Sequence, residues 1–103
     1  MFQVIKREGD LADFTLTKIS DAIIKAFIAT DVQYNNDVVD LLALRVTADF
    51  QDKVKDDGIH VEDIQDSVEK VLEQAGYTEA AKAYILYRKQ REKMRTMKST
   101  ILD

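Results

Sequence analysis

The chain has 103 residues and a net charge of −4, a length that fits one small domain, and its hydrophobic content of 46% can supply a core. It contains no cysteine, which excludes a disulfide framework, a cysteine-based zinc site and a cysteine nucleophile, and its single histidine excludes a histidine-rich metal site. No apolar run is long enough to span a membrane or to serve as a signal peptide. We therefore expect a cytoplasmic protein without a membrane partner.

Charge is distributed unevenly along the chain. Residues 1–80 carry 8 Lys or Arg and 17 Asp or Glu, a net charge of −9, whereas residues 81–103 carry 7 and 2, a net charge of +5. A basic end on an acidic body could bind an anion, a nucleic acid or an acidic partner. It is also typical of a solvated helix end, where cations complement the helix dipole, and charge alone favours this second interpretation.

The N-terminal residues predict a β-hairpin. Phe2 to Arg7 has the composition of a strand, and Leu11 to Thr15 is predicted to be its return strand. Glu8–Asp10 is the turn between them, because Gly9 can adopt a positive φ without steric cost. A two-stranded hairpin is marginal alone, so it must pack on other elements, and the short extended piece Ile59–Val61 is the candidate for a third strand.

The spacing of apolar residues predicts two helices between the hairpin and this third strand. Thr15 or Thr17 can cap the first helix, and Asn36 can cap the second, which is predicted to end at Gly58. The predicted buried stripes consist of Ile19, Ile23, Ala26 and Phe27 in the first helix, and of Val39, Leu42, Val46, Phe50 and Val54 in the second.

Two further helices are predicted after the third strand. The third ends at Gly76 and carries Glu62 and Asp63 in its first turn, where the helix dipole favours carboxylates, and Thr78 can cap the fourth. The residues predicted to face inward are Ile64, Val68, Val71, Leu72 and Ala75, then Ala80, Ala83, Tyr84 and Tyr87. The residues alone therefore predict an α+β fold, mostly α, made of four helices and a small hairpin.

Three cations lie near the hairpin and the start of the first helix. Lys6 and Arg7, taken alone, are consistent with ordinary solvated surface. Lys18 lies in the first turn of a helix, where a cation opposes the dipole but free backbone N–H groups suit an anion. A bound phosphate would reconcile both facts, and a flexible lysine in water is the alternative, so both interpretations stay open.

The fourth helix carries aromatic and cationic side chains at helical spacing. Ile85 and Lys89 share one face. A neighbouring stripe, at spacings of four, three and four residues, consists of Tyr84, Arg88, Arg91 and Arg95. Arginine can stack on an aromatic ring or bind phosphate through two N–H groups, but the stripe alone favours an amphipathic helix with a charged outer edge.

The chain carries no recognisable catalytic motif. It has no P-loop and no Gly-rich dinucleotide fingerprint, and its one histidine, His60, supports no Ser–His–Asp arrangement. No pair of carboxylates is marked for acid–base chemistry. We therefore expect that this chain is not by itself an enzyme.

Several motifs in a fixed order resemble the ATP-cone, a nucleotide-sensing regulatory domain at the N-terminus of many ribonucleotide reductases. They are VIKREG at Val4–Gly9, Phe14, KI at Lys18–Ile19, IHVEDIQDSVEKVL at Ile59–Leu72 and AYILYRKQR at Ala83–Arg91. The sequences of the third and fourth helices look most like those of the oxygen-sensitive, glycyl-radical reductases and of some cobalamin-dependent ones. The resemblance implies an ATP-cone domain over residues 1–95, with residues 96–103 as the start of a connector to a catalytic region or as a free tail.

The resemblance also implies a fold, a function and a site. The fold is a four-helix bundle capped by a small three-stranded mixed sheet. ATP activates and dATP inhibits the reductase, through oligomer rearrangement. By position, the phosphates and an accompanying Mg²⁺ would meet Lys6, Arg7, Lys18, Arg88 and Lys89. The adenine and ribose would meet Val4, Phe14, Ile19, Val61, Gln65 and Ile85.

The ribose end of this implied site departs from the family pattern. Val61 and Gln65 stand where some members have a threonine and a histidine, and a valine can offer the ribose only backbone polar groups. One 2′-hydroxyl must nevertheless shift an equilibrium between assemblies, which a ligand does only through its different affinity for the two states.

The implied partners are ATP or dATP, the remainder of a reductase chain or a reductase subunit, and a second copy of the chain in a nucleotide-dependent homo-oligomer. Two alternatives stand beside this interpretation. One is a stand-alone nucleotide sensor. The other is a helical interaction module whose basic last helix binds nucleic acid or an acidic partner, although the acidic body would repel a phosphate backbone.

Overall fold

The computed structural model describes residues 2–102, with side chains described as far as residue 97. In these residues two short strands are followed by two helices, and a third short strand is followed by two more helices. In order they are β1 (Gln3–Ile5), β2 (Leu11–Asp13), α1 (Leu16–Ala29), α2 (Asn36–Phe50), β3 (Ile59–His60), α3 (Val61–Gln74) and α4 (Thr78–Leu102), with a 3-10 turn at Gln51–Lys53. The predicted fold class, mostly α with a small mixed sheet, is confirmed. None of the described helices is apolar over a stretch long enough to cross a bilayer.

The sheet has the strand order β2-β1-β3, so β1 is central. It pairs antiparallel with β2, with Val4 opposite Ala12, and parallel with β3, with Val4 opposite Ile59. The predicted third strand is therefore confirmed, but it ends at His60, and Val61 is already the first residue of α3. Because β3 has only two residues and leads directly into α3, its pairing places the first turn of α3 beside the hairpin.

The hairpin strands are shorter than predicted. β1 ends at Ile5, so Lys6 and Arg7 lie in the turn, and the expectation of a strand through Arg7 is wrong. The cause is local hydrogen bonding. The Lys6 N–H donates to the Asp10 carbonyl at 2.8 Å, and the Gly9 N–H donates to the Lys6 carbonyl at 2.9 Å. The chain therefore curls after Ile5, and strict in-and-out alternation does not apply to Arg7. Likewise β2 ends at Asp13 and not at Thr15.

The helix caps partly differ from the predicted ones. Thr15 does precede α1, but its side chain makes no capping hydrogen bond. The cap of α2 is Asn35 and not Asn36: its Oδ1 accepts a hydrogen bond from the Val38 N–H at 2.9 Å. Asn35 has the extended backbone that a cap requires, whereas Asn36 is already helical. Thr78, the predicted cap of α4, is instead its first helical residue.

The end of α2 comes earlier than predicted. The helix ends at Phe50 and gives way to the 3-10 turn, after which Val54 is extended. Lys55 and Gly58 then exchange two backbone hydrogen bonds, of 2.9 and 3.0 Å. The chain needs these residues to reverse direction into β3, so a helix extending to Gly58 is wrong.

The predicted apolar stripes form the core. α2 packs against α1 and α3, and α4 packs against the same two helices on another side. Most of the predicted inward residues are buried; the exceptions, which are half-buried, are Val54, Ala75, Ala83 and Tyr87. Phe14 stacks on Phe2 with ring centroids 4.5 Å apart, and both rings meet Phe50 edge-on. This aromatic cluster fastens the sheet to the end of α2.

One polar contact joins α2 to α3 inside this core. The buried Ser67 hydroxyl donates to Asp49 Oδ2 at 2.7 Å, and Lys70 Nζ lies 3.0 Å from Asp49 Oδ1. The Ser67 hydrogen bond, followed by that from Lys70, lowers the pKa of Asp49 below its ordinary value of 3.8.

A substitution at Gly58 tests how closely the backbone before β3 approaches β1. Its φ is +115°, and a Cβ there would overlap the backbone carbonyl oxygen of Gln3. Gly58→Ala should therefore lower the free energy of unfolding by about 2–4 kcal/mol, measured by urea denaturation. Gly9→Ala is the matched control, because Gly9 also has a positive φ but open space around it, and should cost only about 1 kcal/mol. Equal costs would contradict the close approach.

Asp49 should make stability depend on pH. A carboxyl with a lowered folded-state pKa contributes stability above its unfolded pKa, and that contribution is lost as the pH falls through the folded value. The unfolding free energy of the wild type should therefore fall between about pH 5 and about pH 2 more steeply than that of Asp49→Asn. Asp52→Asn, which removes an exposed carboxylate, should retain the wild-type slope. A slope unchanged in Asp49→Asn would refute the role of Asp49.

Candidate functional site

A cleft of ≈ 310 Å³ opens between the β1–β2 turn, the start of α3 and the middle of α4. Its lining consists of Arg7 from the turn, Glu62 and Glu69 from α3, and Ile85, Arg88, Lys89 and Glu92 from α4. The pairing of β3 with β1 places the turn next to α3, and α4 lies along α3. Spacings of three and four residues put the four α4 side chains on one face.

The cleft brings together four of the side chains predicted to bind nucleotide, namely Arg7, Ile85, Arg88 and Lys89. The other two predicted phosphate ligands lie on neighbouring elements. Lys6 is exposed in the turn beside Arg7, and Lys18 is exposed in the first turn of α1. Neither belongs to the lining described for the cleft.

The residues predicted for adenine and ribose lie mostly in packed positions. Ile19 is only 5% exposed within the core, and Phe14 belongs to the aromatic cluster. Val4, in the central strand, is half-buried and packs against the core. Val61 and Gln65 are half-buried in the first turns of α3. Of the adenine and ribose set, Ile85 is the member that lines the cleft.

Arg7 is held between carboxylates of two helices. Its Nη1 lies 3.3 Å from Glu92 Oε1 on α4, and its Nε lies 3.9 Å from Glu62 Oε2 on α3. In the next turn residue, Glu8 Oε1 lies 3.8 Å from Arg95 Nη1 on α4. The β1–β2 turn is thus connected by charge to both helices that form the cleft.

Arg88 joins α3 to α4 and is more buried than Arg7. Its Nη1 donates to Asp66 Oδ1 and to Glu69 Oε2, each at 2.9 Å, and its Nη2 donates to the Glu62 carbonyl at 3.4 Å. The side chain is only 16% exposed. Burial raises the pKa of Glu69 even though the guanidinium opposes that shift. Arg88 is therefore a structural ion-pair partner in this state.

The basic stripe predicted on α4 divides between three partners. Arg88 faces α3, whereas Arg91 donates from Nη1 to the Tyr87 hydroxyl at 3.0 Å and Arg95 reaches the hairpin turn. Lys25 of α1 also lies over the Tyr87 ring, 5.8 Å from its centroid. The hydrogen bond from Arg91 lowers the pKa of Tyr87. Tyr84 is buried, and burial raises its pKa.

Two buried acceptors near the cleft have no donor. Glu62 Oε2 and Gln65 Oε1 are buried and make no hydrogen bond within the described part of the chain. Glu62 Oε2 does have the ion-pair contact with Arg7 Nε at 3.9 Å. A buried polar atom left without a hydrogen bond costs about 1–3 kcal/mol, so the position of Gln65 Oε1 favours a ligand that brings a hydrogen-bond donor. Among the described residues no cluster of three or more acidic or histidine side chains could hold a metal ion.

The carboxylates of the cleft were not anticipated from sequence. From sequence, Glu62 was predicted only to favour the first turn of a helix, and no role was predicted for Glu69 or Glu92. The available signal was their spacing: Glu62 and Glu69 are seven residues apart, which places them on one helix face. Which cations they meet depends on contacts between elements that are distant in the chain.

Comparison with known proteins agrees with this architecture. The sequence matches the family model of the ATP cone domain over residues 2–93. It is 41% identical over 102 residues to the ribonucleoside-diphosphate reductase subunit alpha of Chlamydia pneumoniae, covering 92% of this chain and 10% of that protein. It is 38% identical over 101 residues to the vitamin B12-dependent ribonucleoside-diphosphate reductase of Thermoplasma acidophilum, covering 93% of this chain and 13% of that protein.

A vitamin B12-dependent reductase of Mycobacterium tuberculosis is 34% identical over 100 residues, which cover 96% of this chain and 14% of that protein. The chain belongs to the ATP-cone family. It spans about a tenth to a seventh of the length of these relatives. It corresponds to their ATP-cone and not to their catalytic part, so the expectation that it is not by itself an enzyme is confirmed.

Arg88 should be needed for stability because it satisfies three acceptors at the joint between α3 and α4. Arg88→Gln should lower the free energy of unfolding by about 1–3 kcal/mol, measured by urea denaturation. Arg91→Gln is the control, since it removes an exposed guanidinium one turn further along α4 and should cost less than about 1 kcal/mol. A cost for Arg88→Gln no larger than that for Arg91→Gln would contradict the structural role.

Proposed function

We propose that this chain is the regulatory nucleotide-binding domain of a ribonucleotide reductase, binding ATP as activator and dATP as inhibitor. The observation that carries the proposal is the cleft itself. In a member of the ATP-cone family, it combines the predicted cations Arg7 and Lys89 with the apolar side chain of Ile85. This is the combination of cation and apolar wall that a nucleotide requires.

The phosphates are proposed to bind between the turn, α1 and α4. Arg7 and Lys89 are in the cleft, Lys6 adjoins Arg7, and Arg88 lies deeper, where it would need to exchange a carboxylate for a phosphate. The start of α1 supports the inclusion of Lys18. That helix has no side-chain cap and no acidic residue in its first turn. Each of the other three α-helices has at least one acidic residue in its first turn. Its free N–H groups and positive dipole end therefore suit an anion.

The nucleoside is proposed to bind nearer the sheet. Ile85 forms an apolar wall of the cleft, and Val4 and Ile19 are proposed to complete the adenine slot, with Phe14 behind them. Val61 and Gln65 are proposed to lie along the ribose. The unpartnered Gln65 Oε1 supports this assignment, because a ribose hydroxyl can donate the hydrogen bond that this buried oxygen lacks.

Magnesium is proposed to enter with the phosphates, which would supply most of its oxygen ligands. Regulation is proposed to act through rearrangement of a homo-oligomer or of contacts with the rest of a reductase, each nucleotide favouring the assembly to which it binds more tightly. The relation to the glycyl-radical class stays a prediction.

Calorimetric titration with ATP and dATP tests the site. The wild type should bind both nucleotides, and each of Lys6→Ala, Lys18→Ala and Lys89→Ala should weaken binding by about tenfold or more, because each removes a charge-assisted contact to phosphate. Lys82→Ala is the matched control: Lys82 is an exposed α4 lysine that pairs with Glu79 and is not in the cleft, so its loss should leave affinity unchanged.

Undiminished binding in all three site variants would refute the residue assignment. Failure of the wild type to bind either nucleotide would refute the proposed function.

A further inference from the structure

The outer half of α4 has little packing to hold it over residues 89–97, as far as its side chains are described. Past Arg88, every side chain from Lys89 to Met97 is exposed except that of Arg95, which is half-buried. The apolar ones are no exception, since Met94 is 68% and Met97 54% exposed. Packing against the core therefore does little to fix the position of residues 89–97.

Among the side chains that the structure describes, two ion pairs connect this outer half to the β1–β2 turn. They are Arg7–Glu92 at 3.3 Å and Glu8–Arg95 at 3.8 Å, here called the α4 latch. Both join α4 to consecutive residues of the β1–β2 turn, and the two pairs have opposite polarity. The latch thus fixes α4 against the turn by charge where packing does not.

Arg7 belongs both to the latch and to the cleft. Arg7 and Glu92 both line the cleft, so a polyphosphate that binds the Arg7 guanidinium at Nη1 competes with the Glu92 carboxylate for that nitrogen. The carboxylate and the phosphate are both acceptors without donors, and they repel each other at short range. A phosphate that binds Arg7 at Nη1 should therefore displace the Glu92 carboxylate from its 3.3 Å ion pair.

We propose that Glu92 is an internal competitor for the phosphate position on Arg7, and that nucleotide binding opens the α4 latch. This inference rests on the proposed function, because it supposes that the cleft takes a nucleoside triphosphate. In the free state the carboxylate substitutes for the ligand and lowers affinity. In the bound state the outer half of α4 loses one of the two ion pairs of the latch. Nucleotide binding in the cleft thereby makes the outer half of α4 more mobile.

The size of the effect follows from the exposure of the ion pair. Exposed pairs contribute modestly to stability, so removal of the competitor should tighten nucleotide binding by about two- to fivefold. The repulsion between Glu92 and the phosphates acts in the same direction. The test must therefore separate competition for Arg7 from a general charge effect.

The experiment is calorimetry with ATP on the full chain. Glu92→Gln keeps the shape of the side chain and removes its charge, and should bind ATP about two- to fivefold more tightly than the wild type. Glu79→Gln is the control, because it makes the same change at the start of the same helix, outside the cleft, and should not alter affinity. In an Arg7→Gln background, Glu92→Gln should give a smaller gain, since there is no guanidinium to release.

Hydrogen exchange supplies a second readout. In the wild type, ATP should speed amide exchange over residues 92–97, and Glu92→Gln should exchange faster there before any ATP is added. Nucleotide binding with equal affinities for Glu92→Gln and the wild type, or an equal gain with and without Arg7, would overturn the competition while leaving the proposed function intact. A wild type that binds no nucleotide would overturn both.

Discussion

The architecture depends on a very short parallel pairing between β1 and β3. Val4 and Ile5 lie opposite Ile59 and His60, and this contact joins residues more than fifty positions apart. It requires the backbone at Gly58 to pass so close to Gln3 that no side chain fits between them. Since α3 begins immediately after β3, the pairing decides where the first turn of α3 lies. The cleft exists because that turn is brought against the hairpin.

The charge distribution has a structural explanation in this arrangement. An acidic body and a basic last helix suggested either an interaction surface or a solvated helix end. In the structure, Arg88 and Arg95 of the last helix each meet carboxylates elsewhere in the domain, and Arg7 meets carboxylates of both α3 and α4. The protein thus carries internal counterions for cations that would otherwise repel one another. The proposed site for a polyanion can therefore remain folded when it is empty.

Sequence reasoning succeeded where the signal was local. The stripe of Ile19, Ile23 and Phe27 predicted α1 because burial imposes a helical period, and the fold class followed from four such stripes and a hairpin. It failed where two local options competed. Asn35 and Asn36 are equally good caps by type, and only the backbone of the preceding loop selects Asn35.

The site was predictable only in part for a related reason. A resemblance carried by ordered motifs pointed to Arg7, Ile85 and Lys89, which the structure brings together. The same motifs could not show that Arg7 meets Glu92, because an ion pair between a turn and a helix more than eighty residues later depends on the angle at which that helix lies. The spacing of apolar residues determines which face of α4 is buried. It does not determine which residues pair with the charged side chains in the outer half of that helix.

The uninterrupted length of α4 has a mechanical consequence. The helix contains 25 residues and no proline or glycine, so its sequence builds in no kink. From the joint at Arg88 to its last described residue it extends about 20 Å, so a change of tilt of about 5° at that joint moves the tip by about 2 Å. The outer half of α4 is in this respect a lever arm with its pivot at the half-buried Arg88. Small displacements at the joint are enlarged by geometry alone, without any change in the core.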